Sequence, residues 1–134
     1  MNKKSISQVM DLFLIMLVIT LAFLSLSKST GFPASANYVE SLFGSDKSLH
    51  FFAGMVVTLA VFRWLFFILE SKYLKTFVLT TILSSSILSA DEFSQVFNVY
   101  RQFSFYDLYA GFLGLLLGLI ILLLFCSFSV RSKD

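Results

Sequence analysis

From Leu108 to Phe128 the chain reads LYAGFLGLLLGLIILLLFCSF, without a single charge. A helix rises about 1.5 Å per residue, so a run of this length covers the roughly 30 Å hydrocarbon core of a bilayer. A water-soluble domain can hide one such helix. This chain has 134 residues and three further apolar segments, at about 9–26, 49–69 and 74–90, and a body this small has too little interior for four of them. Only 13% of the residues are charged, where a soluble domain carries about a quarter. The predicted fold is therefore all-α: a polytopic membrane protein, a four-transmembrane-helix bundle forming one domain over residues 1–134.

The segments differ in strength. The second is broken only by Arg63 near its end, and the third is diluted by Thr80, Thr81, Ser84, Ser85, Ser86 and Ser89, which predicts shielding by neighbouring helices. Lys3 and Lys4 before the first segment resemble the start of a signal peptide. The small-x-small stretch Ala34-Ser35-Ala36 lies too far beyond Leu26 for a cleavage site, so this segment is read as a retained span.

Four spans place both termini on one side. Lys3, Lys4, Lys72, Lys75, Arg131 and Lys133 fall on that side with Arg63 near it, against Lys28, Lys47 and Arg101 on the other. The positive-inside rule makes the termini cytoplasmic. The connections 27–48 and 91–106 then face outward. In the first, Gly31, Pro33 and Gly44 are breakers, and Tyr38, Val39, Leu42 and Phe43 are spaced for a short interfacial helix. The net charge of +2 is too small for a nucleic-acid partner. The lone Cys126 gives neither an intramolecular disulfide nor a thiolate metal site, so the bilayer is the first partner implied.

The polar residues collect at the predicted outer boundary. Asp46, Lys47 and His50 open the second span, Asp91, Glu92 and Gln95 close the third, and Arg101, Ser104 and Asp107 lead into the fourth. A charge at the bilayer centre costs about 2.5–3.5 kcal/mol on insertion scales, so these groups belong at the rim or turned toward one another. Asp46, His50 and Gly54 share a helical face, as do Ser85, Ser89 and Glu92. Asp107 heads a stripe with Gly111, Gly114 and Gly118, and small residues at this spacing let a second helix approach closely. The expected result is one outward-facing pocket with a helix-packing seam beneath it.

In this order and spacing, Asp46-Lys47-x-x-His50-Phe51, Glu92-x-x-Gln95, Arg101 and Asp107 with its glycines resemble the VanZ-like family, named for a bacterial teicoplanin-resistance protein. The resemblance covers about residues 45–118. It implies a small multi-pass membrane protein of the cell envelope, with a bearing on glycopeptide-type antibiotic susceptibility. The family commonly carries Asn where this chain has Gly111.

Three roles stay open at this level. In the first, the pocket binds or modifies a lipid or cell-envelope precursor, with Asp46, Lys47, Gln95, Arg101 and Ser104 as ligand contacts. In the second it is a hydrolase or transferase acting on a lipid-linked phosphate, with His50, Glu92 and Asp107 as acid and base and Lys47 and Arg101 on the anion. In the third the network only fixes helix register. One His and two acids, His50, Glu92 and Asp107, make a weak metal signal, and no metal or cofactor is expected.

Overall fold

The computed structural model describes residues 3–69 and 73–131. Lys72 and Lys133, two of the basic residues used for orientation, lie outside the described residues. Helix α1 runs Lys3–Ser29, α2 Ala34–Phe43, α3 Asp46–Leu69, α4 Tyr73–Ser94 and α5 Phe105–Arg131, and a 3-10 turn at Gln95–Phe97 prolongs α4. No strand occurs among the described residues. Four stretches are helical, long and apolar enough to cross a membrane: Ser7–Ser29, Asp46–Leu69, Tyr73–Phe97 and Phe105–Cys126.

The most extensive helix contact joins α3 to α5, and glycines make it. A Cβ built on Gly54 would stand 2.1 Å from the carbonyl oxygen of Gly111, and one on Gly114 only 1.8 Å from that of Phe51. The two backbones touch, which no larger residue permits at those positions. Further along, a Cβ on Gly118 would meet the Thr58 side chain at 3.0 Å. Gly111 differs from its neighbours in the stripe. A Cβ there would meet the Leu88 side chain at an ordinary 3.7 Å, because Gly111 serves the seam through its carbonyl, which any residue would supply.

Across the seam His50 lies against Gly111, Phe51 and Met55 against Gly114, and Met55 and Thr58 against Gly118, so the register climbs on both helices and α3 and α5 run in the same direction. Helix α4 runs against them: Phe77 near its start packs on Phe62 near the end of α3, with ring centroids 4.9 Å apart, while Glu92 near its end reaches Ser104 just before α5. The start of α3, the end of α4 and the start of α5 thereby meet at one end of the molecule.

Polarity is distributed inside out. Thr58, Thr76, Thr80, Ser84, Glu92, Gln95 and Asp107 are buried, whereas Phe13, Phe67, Leu74, Leu116 and Phe125 are exposed. Water would penalise so much open apolar surface, and a hydrocarbon surround would not. The diluted α4 follows the same logic. Thr80 and Ser84 turn fully inward, and the Thr81 and Ser86 hydroxyls donate to the carbonyls of Phe77 and Ile82 one turn back, both at 2.9 Å. The wholly buried line above Glu92 contains Thr76, Thr80 and Ser84, while Ser85 and Ser89 are only half-buried.

Helix α1 is attached more lightly. Leu24 is the buried apolar residue described on it, and Leu12, Phe13, Met16, Ile19 and Phe23 are exposed. The turn after α1 passes through Gly31 at φ +79°, packed under the Tyr100 ring. Helix α2 buries Ala36, leaves Tyr38 and Leu42 outward, and stops at Gly44, whose left-handed φ of +80° suits a residue without a Cβ.

Candidate functional site

Two serines start the helices that carry the site. Ser45 Oγ accepts the backbone N–H of Ser48 at 3.2 Å, which makes it the cap of α3 and leaves Asp46 free for other partners. Ser104 does the same for α5: its carbonyl accepts from Leu108 N at 3.1 Å, and its Oγ lies 3.4 Å from Asp107 N. Asp46 and Asp107 thus stand in the first turns of two parallel helices, where the dipole favours negative charge.

Between them comes Glu92, 1% exposed. One of its oxygens accepts from Gln95 Nε2 and the other from the backbone N–H of Ser104, both at 2.8 Å. Gln95 and Ser104, read from sequence as ligand contacts, are placed by the fold on Glu92.

Helix α1 contributes residues that the sequence reading did not single out. Ser25 Oγ donates to Asp91 Oδ1 at 2.8 Å and accepts from Arg101 Nη1 at 2.8 Å, and Arg101 Nη2 stands 3.8 Å from Asp91 Oδ2. Asp91 is therefore the ion partner of Arg101. Lys28 donates to Asp46 Oδ1 at 3.0 Å and pairs with Glu40 of α2, and His50 Nε2 lies 3.5 Å from the same Asp46 oxygen. The missed signal was the spacing of Ser25 and Lys28, one turn apart at the polar end of the first span, on the face that also carries Leu21.

Asp107 has the least settled environment. Only 8% of the residue is exposed, and its Oδ1 finds no hydrogen-bond partner among the described residues. Lys47 Nζ approaches that oxygen to 3.9 Å from a largely exposed side chain, close enough for an ion pair and too far for a hydrogen bond. One ligand atom each from Asp46, His50 and Asp107 lies within 4.8 Å of the other two, and His50, Asp91 and Glu92 form a second such group.

Ser25, Lys28, Asp46, His50, Asp91, Glu92, Arg101 and Asp107 border one cavity of about 260 Å³ between α1 and the α3–α4–α5 unit. Its walls change character along every helix. On α1 they pass from Val18 and Leu21 to Ser25 and Lys28; on α3 from Val57 and Ala53 to His50 and Asp46; on α4 from Ile87 and Leu88 to Asp91 and Glu92. Arg101, Asp107 and Gly111 complete the lining. His50, Glu92, Arg101 and Asp107 therefore meet at one cavity, while Lys47 approaches Asp107 from the exposed side.

A second polar contact ties α1 to α3 at the other end. Arg63 donates to both oxygens of Asp11, at 2.6 and 3.0 Å, and to Ser7 Oγ at 2.5 Å. Asp11 is the counter-charge that allows Arg63 to interrupt an apolar span.

Comparison with protein-family models, curated proteins and solved structures finds no match to this chain.

Proposed function

We propose that this chain is a bacterial inner-membrane protein of VanZ-like type, with cytoplasmic termini and α2 lying in the outer interface. Its outward-facing cavity binds an amphiphile, a lipid or lipid-linked envelope precursor, and through it alters access of glycopeptide-type antibiotics. The observation that carries this reading is the polarity gradient inside a single cavity, from Val18, Leu21 and Val57 to Lys28, His50, Asp91 and Arg101. A soluble metabolite has no use for the apolar half, and a pure hydrocarbon none for the charged half. At about 260 Å³, the space lies below the roughly 300–1,000 Å³ of drug-sized sites, so it suits a head group with its first carbons while the tails stay in the bilayer. The light packing of α1 gives a lateral way in.

Binding is favoured over turnover because Glu92, one of the groups read as acid or base, is engaged by the fold and no nucleophile among the described residues is paired with a base. Both Glu92 oxygens accept hydrogen bonds from the chain, and the Ser25 hydroxyl is held by Asp91 and Arg101 rather than by a base such as His50. The reading is tested by native mass spectrometry of protein extracted in mild detergent. An amphiphile retained by the parent and lost from His50→Gln at unchanged melting temperature is the expected result. Absence of any retained lipid from the parent overturns it, and release of a cleaved or transferred product would favour the enzyme.

A further inference from the structure

We propose that Asp46, His50 and Asp107 hold a divalent cation of the Zn²⁺ or Mn²⁺ class at the polar end of the cavity, and that this ion receives the phosphate of the bound head group. The second half rests on the amphiphile reading above; the first half does not.

Charge in the cavity leads to it. Lys28 is already paired with Glu40 and Asp46, and Arg101 with Asp91. Glu92 and Asp107 add two more acids, for which the ion pairs among the described residues offer only Lys47 at 3.9 Å from Asp107. A phosphate entering alone would meet a surplus of carboxylates. A bound divalent ion reverses the sign at the point of contact, since such ions are often the largest local charge in a site.

The oxygens decide which of the two candidate groups holds it. In the group of His50, Asp91 and Glu92, Asp91 Oδ1 accepts from Ser25 and both Glu92 oxygens accept from Gln95 and Ser104. In the group of Asp46, His50 and Asp107, Asp46 Oδ1 accepts from Lys28, but the buried Oδ1 of Asp107 has no hydrogen-bond partner among the described residues, and Asp107 borders the cavity. A buried acceptor left unmet is costly, so a cation there resolves a need the fold creates. Tetrahedral ligands about 2.1 Å from a metal stand about 3.4 Å apart. His50 Nε2 and Asp46 Oδ1 are already 3.5 Å apart, and an Asp107 carboxylate oxygen lies within 4.8 Å of a ligand atom of each, a gap that a side-chain rotation would close.

Several features of a working site are in place. Asp46 and His50 lie one turn apart on α3 and Asp107 on the parallel α5, so the glycine seam fixes their separation. Lys28 donates to Asp46 Oδ1, the oxygen that His50 also approaches, and so holds this carboxylate in place beside the imidazole. One imidazole with two carboxylates suits Zn²⁺ or Mn²⁺ better than a thiolate-seeking ion, and three protein ligands leave a position for a phosphate oxygen.

The test uses the full chain in detergent after chelation, titrated with Zn²⁺ by calorimetry and with Mn²⁺ by electron paramagnetic resonance. A single saturable site per chain is expected, weakened at least about tenfold in His50→Gln and Asp107→Asn, a loss seen even for outer partners of a metal. Lys47→Met should tighten binding, because it removes the competing cation beside Asp107; this exposed position also serves if the buried variants fail to fold. Absence of saturable binding, parent-like affinity in both ligand variants, or no gain in Lys47→Met overturns the proposal. Lipid retention on the same samples separates the two readings. Amphiphile retained with no metal site leaves the binding reading and removes the cation, whereas metal bound with no amphiphile keeps the cation site and removes its phosphate partner.

Discussion

Glu92, near the end of α4, accepts the backbone N–H of Ser104 at 2.8 Å, and Ser104 begins the helix that carries Asp107. One buried carboxylate therefore sets where α5 starts and how Asp107 meets the cavity. Its other oxygen takes the Gln95 amide, so the acid also fixes the turn that leaves α4.

Glu92→Gln should cost stability as well as function. The substitute offers one acceptor oxygen where two donors, Gln95 Nε2 and Ser104 N, now face two. Losing one hydrogen bond to a charged group is worth about 1.5–3 kcal/mol. Thermal melting in detergent should show a clear fall, and a parent-like melt would remove Glu92 from this structural role.

The glycine seam predicts a graded series. Gly114→Ala and Gly54→Ala place a methyl against a backbone carbonyl at 1.8 and 2.1 Å and should sharply reduce folded protein, since backbone cannot step aside as a side chain can. Gly111→Ala meets only Leu88 at 3.7 Å and should be accepted. Gly111→Asn, the residue common in the VanZ-like family, should likewise fold, with its side chain toward Leu88 and the cavity. Membrane abundance and melting temperature across the four variants provide the check; equal loss at all four would mean that the close approach at Gly54 and Gly114 does not set tolerance.

Asp11 and Arg63 should be coupled. Asp11→Asn alone leaves Arg63 facing an apolar surround without its bidentate partner and should loosen α1, whereas the double variant Asp11→Asn with Arg63→Met should recover most of the loss. Contacting pairs show coupling of about 0.5–3 kcal/mol in double-mutant cycles, and additive losses here would show that the pair does not hold α1.

The proposed orientation is open to thiol labelling in a Cys126→Ser background. A cysteine at Ser41, exposed on α2, should react with an impermeant maleimide in intact cells, and one at Ser132 only after permeabilisation. The reverse pattern would turn the cavity toward the cytoplasm.

By itself the sequence determined that four helices are long and apolar enough to span a bilayer, and that the polar residues gather at one end of them. Both are local properties: apolar run length and alternation of direction need no knowledge of packing. It also identified Gly114 and Gly118 as seam residues, because small residues at helical spacing point to one face whatever lies opposite. Tertiary structure decided the partners. Helical period says which residues share a face and leaves open which face turns inward; the contact of Gly54 with the Gly111 carbonyl settles that for α3 and α5, and on α4 packing turns Thr80 and Ser84 inward ahead of Ser85 and Ser89. Arg101 had several acids within reach in sequence and takes Asp91, because Ser25 of α1 bridges the two. Asp11 and Arg63 lie 52 positions apart and meet only because α1 returns along α3. An ion pair is fixed by distance in space, and across four helices that distance follows from how the backbones pack.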